Sequence, residues 1–148
     1  VFNQPAGHLE AGESLLEAAC REIREETGLQ LQPDGWLGTY LYSSPYRKLT
    51  YLRFCFYCEL TAPPGEHQPN DPDNDIVACH WLTETEIRAL GKKLRSPLVL
   101  ECLDDYLSGV RLPLTTLKDR RKSSQPRRHY RPRRRTGRET PAKPDAQG

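Results

Sequence analysis

Three glutamates in the N-terminal part of the chain could together bind a divalent cation. Glu22, Glu25 and Glu26 stand at positions i, i+3 and i+4, which places them on one face of a helix if the segment is helical. Carboxylate oxygens are the ligands that hard cations such as Mg2+ prefer. A solvated acidic helix face has the same spacing, so the three positions alone leave both interpretations open.

The residues around these glutamates carry strong helix signals. Ser14 and Glu17 have the spacing of a capping box, in which side chains and backbone N–H groups bond reciprocally. Apolar residues then recur at helical spacing, and Gly28 supplies a left-handed stop. The sequence therefore predicts a helix over Leu15–Thr27, preceded by a glycine-containing loop over residues 6–13.

A longer pattern encloses the glutamates and spans residues 7–29. It reads G-x5-E-x7-R-E-U-x-E-E-x-G-U, where U is a bulky aliphatic residue. The nine matching positions are Gly7, Glu13, Arg21, Glu22, Ile23, Glu25, Glu26, Gly28 and Leu29. This pattern is similar to the signature of the Nudix hydrolases, and a chance match to so many fixed positions is rare. The similarity to the family extends over about residues 1–117.

The resemblance implies an architecture and a reaction. Nudix domains are α/β/α sandwiches around a mixed sheet, so we expect an α/β fold of that type. The family hydrolyses a nucleoside diphosphate linked to another group with Mg2+ or Mn2+. The phosphatase branch that this chain resembles acts on nucleoside tri- and diphosphates and on the pyrophosphate of the thiamine pyrimidine precursor. Family members place strands before the signature, so we expect residues 1–117 to form a Nudix domain that is truncated at its N-terminus.

The resemblance also assigns roles to residues of the signature. The implied metal ligands are the backbone carbonyl of Ala6 and the carboxylates of Glu22, Glu25 and Glu26. Arg21 would orient the glutamates through its planar fork of donors, and Glu13 would brace the loop. The implied catalytic residues are Glu22, Glu25 and Arg21, with Glu22 favoured as the general base.

Three residues outside the glutamate cluster are candidates for substrate binding. His8 could contact a phosphate as an imidazolium, although a loop residue without a role is the favoured interpretation. Tyr51 and Arg53 lie on one face of a predicted strand, which could form a wall of the site or a mixed surface under a helix. Tyr51 could stack on a base, but aromatic residues in strands more often pack against their neighbours.

A hairpin is predicted after the helix, with strands over Trp36–Ser44 and Leu49–Leu60. The alternation in the second strand predicts a core face formed by Leu52, Phe54, Phe56, Cys58 and Leu60. Cys55 and Cys58 make a C-x-x-C, but residues three apart in a strand point to opposite faces. We therefore interpret them as buried thiols rather than as a metal or redox site.

Fewer signals follow the hairpin. A strand is predicted over Ile76–Leu82, a helix from the capping box at Thr83 to Leu90, and a helix over Pro97–Leu107 with Ser96 as its cap. Some family members draw a further acid from a loop beyond the sheet, and the candidates here are Asp73 and Asp75, followed by His80. The favoured interpretation is that the aspartates form a turn beside Pro72.

Charge divides the chain into two parts. Residues 1–117 hold 10 Lys and Arg against 17 Asp and Glu, a net charge of −7, whereas residues 118–148 hold 12 against 3, a net charge of +9. The second part is rich in arginine and poor in apolar residues, so we expect a disordered tail. Such a tail could bind polyanions, but the acidic body disfavours a nucleic-acid partner. A solubilising extension is the simpler interpretation.

The remaining expectations concern environment and partners. No apolar run is long enough to span a membrane, and five cysteines without a signal segment favour a reducing, cytoplasmic location. The expected partner is a small nucleotide or pyrophosphate substrate, and the complete form is expected to be a monomer. Two alternatives stay open: a Nudix-fold module that binds nucleotides or RNA without turnover, and a nucleic-acid-binding protein whose tail carries the function.

Overall fold

The structure is a computed structural model, and it describes residues 1–44, 48–62, 65 and 68–120. Its main elements in chain order are α1 (Leu15–Thr27), β1 (Gly35–Ser43), β2 (Thr50–Tyr57), α2 (Glu84–Leu90) and α3 (Leu98–Leu107). Short 3-10 helices cover Gly91–Lys93 and Leu114–Thr116. The basic tail beyond residue 120, for which we expect disorder, lies outside the described residues.

Local signals alone account for α1. The Ser14 Oγ accepts a hydrogen bond from the Glu17 N–H at 3.1 Å, and the Glu17 carboxylate accepts one from the Ser14 N–H at 2.8 Å. Gly28 ends the helix at φ 75°, a left-handed conformation that costs glycine little. The predicted helix over Leu15–Thr27 is therefore confirmed, together with its capping box.

The hairpin is antiparallel, with Gly35 opposite Tyr57 and Ser43 opposite Thr50. A register shift between Trp36 and Gly38 makes a bulge in β1. Both predicted strands are confirmed in place, although β2 ends three residues before the predicted boundary at Leu60. The reason is that β1 starts at Gly35, so residues after Tyr57 have no strand partner.

The core lies between the hairpin and α3. Leu37, Leu98, Val99 and Cys102 are its buried members there, and Cys102 is only 2% exposed. The Tyr40 hydroxyl donates to the Asp105 carboxylate at 2.6 Å and ties β1 to α3.

The two faces of β2 differ partly from the expectation. Leu52 is 60% exposed, so its assignment to the core is wrong. Its partner across the hairpin, Leu41, is 70% exposed too, and the pair lies near the turn end of the hairpin. On the opposite face Tyr57 packs against the Tyr106 ring of α3, with centroids 5.7 Å apart. There the structure favours a mixed surface under a helix over a wall of a polar site.

The C-terminal half corrects two predictions. Residues 76–82 form no strand, because a strand needs a hydrogen-bonded neighbour and none lies along them within the described ranges. No side-chain hydrogen bond caps α3, so the predicted cap at Ser96 is not formed, although Pro97 has the helical angles expected of it, with φ −60° and ψ −23°. The Ser96 Oγ is buried and finds no hydrogen-bond partner among the described residues. The capping box of Thr83 and Glu86 at α2 is confirmed.

Short pairings outside the hairpin connect distant parts of the chain. Phe2 pairs with Leu94 in a parallel bridge, and Trp36 pairs with Leu112 in an antiparallel bridge. Both are isolated bridges, and the sheet of the described residues is the two-stranded antiparallel hairpin. Within the described ranges, no helix is long and apolar enough to cross a membrane.

Candidate active site

The loop before α1 folds back onto the glutamates of the helix. The Ala6 N–H donates to Glu26 Oε2 at 3.1 Å, and the Glu10 N–H donates to Glu13 Oε1 at 2.6 Å. Gly7 lies so close to the Glu22 carboxylate that a Cβ at this position would collide with it. A side chain at position 7 would therefore displace the Glu22 carboxylate, and the loop holds Glu22 and Glu26 from one side.

Arg21 is the centre of the hydrogen-bond network at this end of α1. Its Nε and Nη2 donate to the two oxygens of Glu13 at 3.1 and 2.8 Å, which is the paired geometry that favours arginine. Its Nη1 donates to Glu22 Oε1 at 2.6 Å and to Glu25 Oε2 at 3.1 Å. The Nη2 also donates to the carbonyl of His8 at 2.9 Å. These five bonds use the donor capacity of the guanidinium, so Arg21 can position carboxylates but has no donor left for a substrate.

The electrostatics follow from these contacts. The hydrogen bonds with Glu13, and then those with the other carboxylates, raise the pKa of Arg21 above its ordinary value despite partial burial. Conversely, the Arg21 guanidinium holds the pKa of Glu13 below its usual range. Both groups are therefore charged at neutral pH and form a fixed brace between the loop and the helix.

Glu26 has no such brace. The pKa of Glu26 is raised to about 7, chiefly by burial and also by the negative charges of Glu22 and Asp71, against the lowering effect of the Ala6 N–H and the charge of Arg95. Among the described residues, no basic side chain forms an ion pair with Glu26. The environment of Glu26 is consequently one that a bound cation would stabilise in the ionised form.

The oxygen donors at this end of α1 suit a hard divalent cation. Arg21 occupies one oxygen of Glu22 and one of Glu25, which leaves the second oxygen of each carboxylate as a donor. Glu26 and the carbonyl of Ala6 add oxygen donors beside them. No three His, Cys, Asp or Glu side chains within the described ranges already converge on one metal position. The donor chemistry fits Mg2+ or Mn2+, and binding would draw the carboxylates together.

The loop after β2 contributes a carboxylate that sequence reasoning missed. The Asp71 carboxylate accepts backbone hydrogen bonds from Asp73, Asp75 and Ile76 at 3.0, 2.6 and 2.9 Å, and these bonds lower its pKa. The Asn70 N–H donates to the Glu25 carbonyl at 2.7 Å and ties this loop to α1. Asp71 is therefore ionised, and its charge acts on Glu26. Asp73 and Asp75, the predicted candidates, provide backbone N–H groups to Asp71.

The other predicted residues differ in how they are connected to the glutamate cluster. His8 belongs to the loop, where its carbonyl bonds Arg21 and its side chain is exposed. Arg53 is half-buried, and its Nη1 donates to Gln4 Oε1 at 3.3 Å, two residues before Ala6. Tyr51 pairs with Tyr42 near the turn end of the hairpin, and no described contact joins it to the glutamates.

The apolar and glycine positions of the signature have structural roles. Leu29 is 8% exposed and belongs to the core. The Ile23 carbonyl accepts a bond from the Thr27 hydroxyl at 2.6 Å. Gly28 has a positive φ and lies against the Gln68 carbonyl, which a Cβ would strike. The ring of the candidate His80 packs against the Phe2 ring in a tilted arrangement, with 5.9 Å between the centroids.

The thiols of the C-x-x-C remain in separate environments. A hydrogen bond with Cys102, and then burial, raise the pKa of Cys55, while burial raises the pKa of Cys58 to about 11. All five cysteines are free. The two groups are therefore protonated at neutral pH, which agrees with the interpretation as partly buried thiols.

Two of the residues that face Glu26 had weak signals in the sequence. Asp71, Asp73 and Asp75 stand at alternate positions of the loop, and each could bond the N–H two residues on. Asp71 therefore has only a weak signal in the sequence. Arg95, whose charge acts on Glu26, has no local signal, because its segment is connected to the N-terminal residues only through the pairing of Phe2 with Leu94.

Comparisons with known proteins agree with this geometry. A model of the NUDIX domain family matches residues 2–102. Phosphatase NudJ of Escherichia coli (strain K12) is 44% identical over 121 residues, which cover 80% of this chain and 74% of that protein. Phosphatase NudJ of Shigella flexneri gives the same values. The solved NUDIX hydrolase from Nitrosomonas europaea has a TM-score of 0.65 and 40% identity, over 80% of this chain and 78% of that chain.

These similarities confirm the expected Nudix fold class. The matched region contains the complete signature from Gly7 to Leu29, with the arginine and the three glutamates at one end of α1. Nudix hydrolases generally use divalent metals and act on small nucleotides. The chain belongs to the Nudix hydrolase family and is an enzyme that acts on phosphoanhydride bonds.

Proposed function

We propose that this enzyme uses Mg2+ or Mn2+ to hydrolyse nucleoside tri- and diphosphates, and that it also accepts the pyrophosphate of the thiamine pyrimidine precursor. The observation that carries the proposal is the difference between Arg21 and Glu26. All donors of Arg21 are used by Glu13, Glu22, Glu25 and the His8 carbonyl, whereas Glu26 has a pKa of about 7 and no ion pair among the described residues. The relatives named phosphatase NudJ support the substrate class.

Each residue of the signature has a part in the proposed mechanism. The Ala6 carbonyl and the carboxylates of Glu22, Glu25 and Glu26 would hold the cation. A bound divalent ion neutralises phosphate oxygens and increases the acidity of a bound water. Arg21 fixes the orientation of the Glu22 carboxylate, which is the favoured general base for the attacking water.

Arg53 is the best supported of the three proposed substrate contacts. It is half-buried, it bonds the Gln4 side chain, and no carboxylate lies within 4.0 Å of it among the described residues. A half-buried cation without an anion partner suits a phosphate. His8 and Tyr51 are proposed with less support. His8 is an exposed loop residue, and Tyr51 lies near the turn end of the hairpin.

Environment and assembly complete the proposal. The free thiols of the described residues suit a reducing compartment, and we propose the cytoplasm. We further propose that the complete enzyme is a monomer that needs neither a membrane nor a nucleic acid for turnover.

A substrate panel tests the proposal. Phosphate release is measured for nucleoside tri-, di- and monophosphates and for the thiamine precursor pyrophosphate, with Mg2+, with Mn2+ and in EDTA. We expect release from every compound with a phosphoanhydride bond, none from the monophosphates, and none in EDTA. Tight nucleotide binding without any release would instead support a binding module.

A further inference from the structure

Two free thiols on different elements line the same cavity. Cys55 lies on β2 and Cys102 lies on α3, and both belong to the wall of a cavity of about 180 Å3. A hydrogen bond joins their side chains. Cys102 is buried and Cys55 is half-buried, and neither forms a disulfide. The proposed hydrolysis uses neither thiol, so this pair is available for chemistry of its own.

The elements that carry the two cysteines are already held together at this level. Gly38 pairs with Cys55 across the hairpin, and the hydroxyl of Tyr40, two residues further along β1, donates to the Asp105 carboxylate of α3 at 2.6 Å. Asp105 follows Cys102 by one helical turn. A covalent bond between the thiols would therefore join elements that are in contact before it forms.

The cavity admits a small oxidant to both sulfur atoms. It is partly open to solvent, and apolar groups such as Leu37, Val99 and Leu103 form most of its wall. A cavity of roughly 150 Å3 is large enough for benzene, so a molecule of hydrogen peroxide, which is only slightly larger than water, has room here. Glutathione disulfide, which contains two linked tripeptides, is too large to enter.

The groups around Cys102 favour its thiolate. The S–H of Cys55 donates to the Cys102 sulfur, and the side-chain amide of Gln4 is a second donor. The Gln4 Oε1 accepts from the Arg53 Nη1 at 3.3 Å, so the amide nitrogen is the end of Gln4 that can donate to the thiolate. These bonds, with the charge of Arg53, hold the pKa of Cys102 below its ordinary value despite burial. Cys102 is therefore the nucleophile of the pair, and Cys55 is its protonated partner.

We propose that Cys55 and Cys102 are a modification site at which a peroxide forms a reversible intramolecular disulfide. The Cys102 thiolate attacks one oxygen of hydrogen peroxide and becomes a sulfenic acid, and the other oxygen leaves as hydroxide. The Cys55 thiol then attacks the Cys102 sulfur, so that the S–S bond forms and the sulfenic oxygen leaves as water. The hydroxide takes up the proton that Cys102 had released. The two thiols thus lose two electrons, and one peroxide is reduced to two waters.

Reversibility fits the compartment proposed above. Disulfides in a reducing compartment are typically transient and serve redox sensing. A dithiol such as dithiothreitol restores both thiols by exchange through a mixed disulfide. The disulfide is consequently a response to peroxide and is absent from the reduced protein.

The test oxidises the full chain with a small excess of hydrogen peroxide, blocks the remaining thiols with N-ethylmaleimide, and maps disulfide-linked peptides by mass spectrometry. Chymotrypsin is the protease, because cleavage after Phe56 or Tyr57 separates Cys55 from Cys58. Cys58→Ser is the matched control, since Cys58 directly follows β2 and does not line the cavity. Dimedone, which reacts with sulfenic acids, is added to Cys55→Ser and Cys102→Ser. Circular dichroism confirms that each variant folds.

We expect the unaltered protein and Cys58→Ser to lose two thiols per chain, to yield a linked peptide pair with Cys55 and Cys102, and to recover both thiols in dithiothreitol. In Cys55→Ser the sulfenic acid of Cys102 should persist and be trapped by dimedone. In Cys102→Ser the Cys55 thiol should remain reduced.

The mapping in the unaltered protein needs no substitution, so it decides the proposal even if Cys102→Ser fails to fold. A peroxide-treated chain in which Cys55 and Cys102 both stay reduced overturns the proposal, and so does a disulfide that joins either of them to another cysteine or to a second chain. A dimedone adduct on Cys55 in Cys102→Ser, without one on Cys102 in Cys55→Ser, overturns the assignment of Cys102 as the nucleophile.

Discussion

Single residues in this site are arranged so that one carboxylate is left for a cation. Glu13 accepts from Nε and Nη2 of Arg21, and Glu22 and Glu25 accept from Nη1, so the Arg21 charge partly compensates these three carboxylates. Glu26 stands outside this network and is only partly compensated by the Ala6 N–H and Arg95. The pH response of the site should therefore be dominated by Glu26.

The pKa of about 7 at Glu26 predicts how metal affinity depends on pH. Only the ionised carboxylate binds a cation, so apparent Mn2+ affinity should rise about tenfold per pH unit below 7 and level off above it. The same raised pKa means that the metal-free protein loses folding free energy as pH rises from the ordinary glutamate range toward 7. Mn2+ titrations followed by electron paramagnetic resonance from about pH 5.5 to 8 measure the first effect. A pH-independent affinity, or an unchanged pH dependence in Glu26→Gln, contradicts the assignment.

A second prediction concerns Gly7. A methyl group there would strike the Glu22 carboxylate, so Gly7→Ala should move Glu22 and weaken Mn2+ binding about 10-fold or more. Gly65→Ala is the matched control, since a Cβ at residue 65 meets open space. Equal Mn2+ affinities in the two variants would show that the position of Glu22 does not matter.

At the scale of elements, α1 and its loop assemble most of the candidate site. The capping box and Gly28 are local signals, so the bounds of α1 and the shared face of its glutamates could be predicted from the sequence. The segment 76–82 could not, because strand formation depends on a partner elsewhere in the chain. The effect of Arg95 on the site could not be predicted for the same reason, because its segment is connected to the N-terminal loop only through the distant pairing of Phe2 with Leu94. Asp71 escaped prediction because two neighbouring aspartates had the same chemistry.

The capping box gives a prediction for the stability of α1. Ser14→Ala removes the hydroxyl that accepts the Glu17 N–H, and it should lower the free energy of unfolding by about 1 kcal/mol. Thr83→Ala makes the equivalent change at α2, which carries no signature residue. Urea unfolding measures both losses. We expect Mn2+ affinity to fall only in Ser14→Ala, since Glu13 is next to Ser14. Equal Mn2+ affinities in the two variants would show that the helix cap does not affect the metal site.

The whole molecule joins an acidic body to a strongly basic tail. The family match ends at residue 102, and the described contacts of the candidate site involve no residue beyond it. The charges of the tail therefore have no established part in the chemistry of the site.

We predict that the tail is dispensable for turnover. A chain cut after Leu117 loses 12 Lys and Arg and 3 Asp and Glu, yet it retains every residue of the signature. Its kcat and KM per folded molecule should equal those of the full chain, whereas any salt-sensitive binding to polyanions should disappear. A large fall in kcat after the cut would show that the tail reaches the site.

The most direct test of the account is the rate of phosphate release by Glu26→Gln at saturating Mn2+. Glutamine keeps the shape of the side chain and removes the charge that would hold the cation, so we predict a loss of at least about 100-fold in kcat/KM. Glu101→Gln, at an exposed position on α3, is the matched control and should keep the unaltered rate. Full activity of Glu26→Gln, or full activity of the unaltered protein in EDTA, would contradict the account.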